Sequence, residues 1–256
     1  LPSVTLGNGR QIVYEEYGNR NGTTVIFIHP PGMGRKVFAR QHVLGSKVRV
    51  IFPDLTGHGD SDIPSEKVTI EYYCKELISL LNALHINSFV LCGYSAGGAV
   101  AQHMCLHYGE RVLGLILIGG YPAVINQTLS LEHKLGMYMV KNHKQQLATV
   151  LARSHTSDPS YRKILIEHMR KANCEAWYLY YKDVLCMNII RELPKLTMPL
   201  LLIYGTKSDG INRYSRYYKK YCKLVRIVFI KRMNHQIPTK SWKVANAEIS
   251  DFVSKL

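Results

Sequence analysis

The chain lacks any apolar run long enough to cross a bilayer. Its longest, Leu113 to Ile125, contains two adjacent glycines and a proline and falls short of the ~20 residues a spanning helix needs. No basic-then-apolar leader opens the sequence, so no secretory signal is expected. The six cysteines (74, 92, 105, 174, 186 and 222) form no CxxC pair. Cys92 and Cys105 fall in segments that read as a buried strand and a core-facing helix. Free buried thiols point to a reducing, cytoplasmic setting. Neither a metal-ligand cluster, nor a P-loop, nor a dinucleotide fingerprint occurs, so no cofactor and no metal are expected. Repeats and low-complexity stretches are missing too.

Acidic residues are scarce. Eighteen Asp and Glu stand against 33 Lys and Arg, a formal charge of +15. Such an excess points to nucleic acid, a membrane surface or an anionic substrate. It is densest from Arg213 to Arg232, eight basic residues interleaved with Tyr214, Tyr217, Tyr218 and Tyr221. No nucleic-acid-binding motif accompanies them, so this segment reads as a solvated outer helix and no nucleic-acid partner is expected.

What remains is ordinary globular material. At 256 residues, with 46% hydrophobic and 20% charged, the chain suits one packed domain, or one domain carrying an insertion. Asn8-Gly9 between two β-prone runs predicts a hairpin. Six short apolar runs then follow: Thr24–Ile28, Val48–Phe52, Phe89–Gly93, Leu113–Ile118, Leu200–Tyr204 and Val225–Ile230. Runs without alternation fit strands covered on both faces, as in a parallel sheet. Helical patterns fall between them at Ile70–Leu84, Ala96–Tyr108, Asn212–Tyr221 and Trp242–Leu256, so the fold class is α/β. Residues 127–191 break the alternation with helix-like segments only, at Leu129–His143, Gln145–Ser154, Tyr161–Ala172 and Cys174–Met187. They read as a helical cap inserted into a core of residues 1–126 and 192–256. At the carboxyl ends of the strands such an insertion roofs the place where open α/β sheets bind ligands.

Gly93-Tyr94-Ser95-Ala96-Gly97 follows an apolar strand and opens a helix. That is the context of a nucleophile elbow, a tight turn that lifts the serine hydroxyl above the sheet beside the free N–H groups of a helix N-terminus. A serine needs a base oriented by an acid. His235, just after the last strand, is the candidate base. His133, His143, His155 and His168 lie in the insertion and read as surface or lid residues. Asp209, in the loop after Leu200–Tyr204, is the candidate acid. The preceding strand offers no rival, since no carboxylate lies between Arg111 and Leu131.

With these residues the chain resembles the α/β-hydrolase family. The resemblance covers nearly the whole sequence and includes His29-Pro-Pro-Gly, the Asp54-Leu-Thr-Gly-His58-Gly-Asp60-Ser61 segment, the elbow, Asp209 and His235. It implies an eight-stranded, mostly parallel sheet with a helical cap over a Ser95–His235–Asp209 triad. It also implies a structural rather than catalytic role for Asp54 and His58. Relatives that open epoxides or displace halides carry aspartate at the elbow. Serine implies acyl chemistry on a small or medium ester, thioester or lactone, or hydrolysis of an activated C–C bond. One departure stands out. The family commonly reads His-Gly-x after the third strand, and x donates a backbone N–H to the oxyanion. Here Pro30 and Pro31 occupy those positions, and proline has no N–H. Ala96 supplies one donor, and Gly32 or Met33 is left for the second, with Met33 near the acyl pocket. A ligand-binding sensor that turns over negligibly is the rival reading this departure favours.

Overall fold

The computed structural model describes residues 1–207 and 210–256. Eight strands form one sheet: β1 (Ser3–Thr5), β2 (Gln11–Tyr17), β3 (Thr24–Ile28), β4 (Arg49–Pro53), β5 (Phe89–Tyr94), β6 (Val112–Ile118), β7 (Leu200–Gly205) and β8 (Val225–Ile230). Their order is β1-β2-β4-β3-β5-β6-β7-β8. The predicted hairpin pairs β1 with β2 antiparallel, and β2 is antiparallel to β4. All remaining neighbours are parallel. β3 through β7 are buried along almost their whole length, which is why their sequences run apolar without alternation.

Helices α1 (Ile70–Ala83), α2 (Gly97–His107), α3 (Gln127–His155), α4 (Pro159–Arg170), α5 (Cys174–Cys186), α6 (Ser215–Tyr221), α7 (Ile237–Lys240) and α8 (Trp242–Val253) complete the chain. Side-chain caps start four of them. Thr69, Asn126, Asp158 and Asn173 each accept a hydrogen bond from a first-turn N–H. Apolar side chains on the two sheet faces form two clusters. One lies under α1 and α2, and the other under α8 and the helices between β6 and β7.

α3, α4 and α5 occupy the stretch between β6 and β7. The sequence predicts two helices over Leu129–His143 and Gln145–Ser154. The structure has both, running on from one another through a kink at His143, whose backbone is non-helical (φ −145°, ψ 40°), and α3 denotes the two together. In the basic segment, Tyr214 and Tyr218 turn inward while Arg216, Lys219 and Lys220 face solvent.

A buried ionic knot ties these helices to the sheet. Asp54, after β4, accepts hydrogen bonds from the Arg35 N–H, the Arg35 guanidinium, the Asp60 N–H and Nε2 of His168 on α4. Arg35 also reaches Glu15 and Asp60, and Lys171 reaches Asp60. Burial disfavours the Asp54 carboxylate, but His168 and Arg35 outweigh that and hold it far below the usual carboxylate range. Asp54, Asp60 and His168 are the one grouping of metal-type ligands among the described residues. The guanidinium already supplies the positive charge there.

Candidate active site

The site sits where the carboxyl ends of β3, β5, β6 and β8 meet. Ser95 follows β5 with φ +53°, a left-handed conformation that L side chains seldom adopt. The strain persists because the turn is fixed on both sides. The Ser95 N–H donates to the Ile118 carbonyl at 2.8 Å, and the Gly98 N–H to the Ser95 carbonyl at 2.9 Å. Any side chain at Gly97 would strike the Ile28 carbonyl, since its Cβ would lie 2.1 Å from that oxygen. Small residues flanking the serine are therefore a packing requirement of strand against helix.

Ser95 Oγ lies 2.7 Å from Nε2 of His235. Burial makes the imidazolium unfavourable and pushes the His235 pKa down to about 4, with His133 adding a minor repulsion. The ring is therefore neutral near pH 7. Its Nε2 faces the hydroxyl as acceptor, so Nδ1 carries the proton. That Nδ1 is buried and has no hydrogen-bond partner among the described residues. Asp209, the predicted acid, lies outside the described residues.

The loop after β6 shapes the space for the ring. A Cβ on Gly119 would come within 2.5 Å of His235 Cε1. Its N–H donates to the Ile203 carbonyl, and the next two carbonyls accept from Tyr204 Oη and Gln102 Nε2. The loop is thus held at three successive residues.

His29 donates through Nδ1 to the Pro30 carbonyl and accepts the Leu55 N–H at Nε2, so both ring nitrogens serve the loops. Pro30 to Met33 form a tight turn. Gly32 takes φ +80° at its third position, and the Met33 N–H donates to the Pro30 carbonyl at 3.3 Å. Of the two alternatives for a second oxyanion donor, the Met33 N–H is thus engaged inside the turn. The Gly32 and Ala96 N–H groups make no backbone hydrogen bond among the described residues.

A cavity of about 490 Å³ opens in front of Ser95, Ala96 and His235. Met33, Leu129, Met139, Leu147, Leu151 and Ile211 give it an apolar lining. Among the described residues neither Lys nor Arg lines it, and Glu132 is the one charged lining residue. Among the described residues the chain's positive excess does not enter the cavity.

Two matched pairs close the cavity. His155 donates through Nδ1 to the Leu151 carbonyl and stands 3.0 Å from Tyr94 Oη at Nε2. His133 donates to the Leu129 carbonyl and stands 3.0 Å from Tyr121 Oη. Each histidine sits near one end of α3, and each tyrosine follows or ends a sheet strand. Burial pushes His155 to about 4 and lowers His133, so both are neutral acceptors of a tyrosine proton. Tyr94 shares its proton with the His235 carbonyl at 3.3 Å. Three insertion histidines read from sequence as surface or lid residues are therefore buried partners: His133, His155 and His168, each 4% exposed. Only His143, at the kink, is exposed. The i−4 backbone contacts of His133 and His155 follow from the helix, but the tyrosine and aspartate partners of all three lie far off in sequence.

The family model for the alpha/beta hydrolase fold matches residues 23–158, more than half the chain, and the chain belongs to this family. It is 29% identical over 163 residues to a non-heme chloroperoxidase of Streptomyces lividans, covering 62% of this chain and 59% of that protein. Over 200 residues it is 22% identical to 3-oxoadipate enol-lactonase 2 of Acinetobacter baylyi, 76% of this chain and 74% of that one. The match to the chloroperoxidase spans less than two thirds of that relative's length. Among solved structures, an esterase from Exiguobacterium antarcticum superposes with a TM-score of 0.88 at 18% identity, covering 98% of each chain. The enol-lactonase from Burkholderia xenovorans gives 0.86 at 18%, covering 99% of this chain and 100% of that one. At that identity the likeness is one of fold.

Proposed function

We propose that the protein is a serine hydrolase that cleaves a small or medium, uncharged carboxylic ester or lactone through an acyl-enzyme. The observation that carries this is Ser95 Oγ, held on a strained elbow 2.7 Å from the neutral His235 Nε2, facing an apolar cavity. Ser95 attacks the carbonyl carbon as His235 takes its proton. The tetrahedral oxyanion lies at the α2 N-terminus, where the Ala96 and Gly32 N–H groups receive it. Collapse expels the alcohol, protonated by His235, and water activated by the same imidazole releases the acid. The relatives named as esterases and enol-lactonases support this class of bond.

Asp209 is the proposed acid. A buried imidazole N–H without a partner costs free energy, so a carboxylate at Nδ1 of His235 suits the site. The described residues just before it support this by lying against the loop that carries His235. The Lys207 N–H donates to the Met233 carbonyl, and Gly205 packs against the Met233 and Asn234 carbonyls. Residues 127–191 are proposed as a cap, since their helices supply much of the cavity wall. Six unpaired cysteines, four of them buried, fit a reducing compartment.

One observation favours a second reading, a sensor with negligible turnover. Pro31 has no N–H, and the Met33 N–H is engaged in the turn. Losing one oxyanion donor typically costs ~10²–10³ in turnover. Hydrolysis of short p-nitrophenyl esters separates the two. The hydrolase reading expects turnover that falls at least about 10⁴-fold in Ser95→Ala and about 10³–10⁴-fold in Asp209→Asn. Equal rates in wild type and Ser95→Ala overturn it. Tight ligand binding without turnover selects the sensor.

A further inference from the structure

We propose that the kinked helix α3 is a docking surface for an anionic lipid–water interface, which delivers the ester to the cavity. This inference rests on the proposed ester hydrolysis for its substrate, and on its own observations for the docking.

Four large apolar side chains of α3 stand in solvent: Leu131 at 66%, Leu135 at 56%, Tyr138 at 57% and Val150 at 59% exposure. Single exposed apolar residues are ordinary, but these are not scattered. Spacings of four and seven residues put Leu131, Leu135 and Tyr138 on one face of the first half of α3. Val150 lies on the second half, beyond the His143 kink. Leu135 and Val150 also line the cavity, so the exposed ridge forms the rim of its mouth. Leu131 and Tyr138 do not line it. A substrate inside the cavity therefore leaves them uncovered, and something larger than the substrate suits them.

Charge indicates what covers the ridge. Lys134 and Lys141 are exposed, and helical spacing places them beside the Leu131–Tyr138 face. Neither makes an ion pair among the described residues, and Lys141 rests on the Tyr178 ring. Residues 127–191 carry ten Lys and Arg against five Asp and Glu, within a chain of net +15. An apolar ridge flanked by lysines matches an interface in which apolar side chains enter the acyl boundary and ammonium groups meet anionic headgroups. A second copy of this chain fits less well, because it would bring the same positive helix against itself. The mouth then opens onto the phase in which a water-insoluble ester dissolves.

Co-sedimentation with vesicles tests the docking apart from the chemistry, using Ser95→Ala so that no lipid is cleaved. Vesicles of phosphatidylcholine with about a third phosphatidylglycerol should bind the protein at low salt, and pure phosphatidylcholine at least about tenfold less. Leu131→Ser with Tyr138→Ser, and separately Lys134→Gln with Lys141→Gln, should each weaken binding about tenfold or more. In the Ser95 background, both pairs should leave turnover of a soluble short ester unchanged and slow that of a long-chain ester embedded in the anionic vesicles. Several results overturn the proposal: no binding, equal binding to both vesicle types, or anionic binding that survives both pairs of substitutions, which would move the contact to the Arg213–Arg232 segment. Absence of vesicle binding together with dimerisation that Leu131→Ser and Tyr138→Ser abolish also overturns it, in favour of a second copy. Loss of soluble-ester turnover in the wild type would instead strike the hydrolase reading and leave vesicle binding to stand or fall by itself.

Discussion

At the scale of single residues, the site depends on what is missing as much as on what is present. His235 fits because Gly119 has no side chain, and the Gly119 backbone already sits at φ +61°. Gly119→Ala should therefore displace the imidazole. A shift of about 1 Å at the reacting atoms costs on the order of 10²-fold in rate. Steady-state kinetics on a soluble ester should show the loss mainly in kcat, with KM little changed, because the apolar cavity walls lie elsewhere. Wild-type kcat in this variant would mean that the ring does not need its observed position. The Pro30-Pro31 departure belongs at this scale too. In the proposed mechanism it leaves the task of a second oxyanion donor to Gly32, whose φ +80° is comfortable because glycine has no side chain.

At the scale of elements, polar anchors hold the helices between β6 and β7 over the sheet. The Asp54 knot holds α4, and the Tyr94–His155 and Tyr121–His133 pairs hold the two ends of α3. The knot is the stronger anchor, because the Asp54 and Arg35 side chains are almost wholly buried. Asp54→Ala leaves the Arg35 charge short of a partner and strands the Arg35 and Asp60 N–H groups. Breaking a buried ion pair from one side costs about 3–5 kcal/mol. Urea titration should show a loss of that size, partly relieved by Glu15 and Asp60, which also contact Arg35. An unchanged midpoint would mean that the knot contributes nothing net. Neither residue touches the cavity lining, so the effect should appear in stability before it appears in KM.

At the scale of the whole molecule, the buried histidines set its response to acid. Burial drives His29, His155 and His235 to about 4 and His58 to about 3. Each folded pKa lies below the unfolded value near 6.5, so between the two the unfolded chain binds more protons. The stability these groups permit is present above about pH 6.5 and is lost as pH falls toward 4. Glu76 acts in the opposite sense. Burial raises it to about 7, so its contribution weakens as pH rises from 4.5 to 7. Four histidines against one carboxyl decide the sign. Tm should fall progressively from pH 7 to pH 4, and a flat profile over that range would contradict the neutral, buried assignments. The molecule's positive excess belongs to this scale as well, since among the described residues no Lys or Arg lines the cavity.

Much of this protein is legible in order along the chain. Unalternating apolar runs marked β3 to β8 within a residue of where they form. For β3 to β7 the reason is that strands buried on both faces must be apolar at nearly every position, whereas β8 is a half-buried edge strand. The elbow was legible because a serine between glycines, after a strand and before a helix, admits few backbone paths. His235 could be singled out because it follows the last strand. Tertiary structure alone decided the rest. It paired Ser95 with His235 across 140 residues. It also buried three histidines that read from their place in the insertion as surface or lid residues, and it gave the Met33 N–H to a turn. Nothing local encodes those partners: Tyr94 and His155 are 61 residues apart, and Asp54 and His168 are 114. Helical period records which face of α3 is apolar, but whether that face meets a core or solvent depends on what the folded chain lays against it. Against α3 it lays α4 and α5, and it leaves Leu131 and Tyr138 largely in solvent.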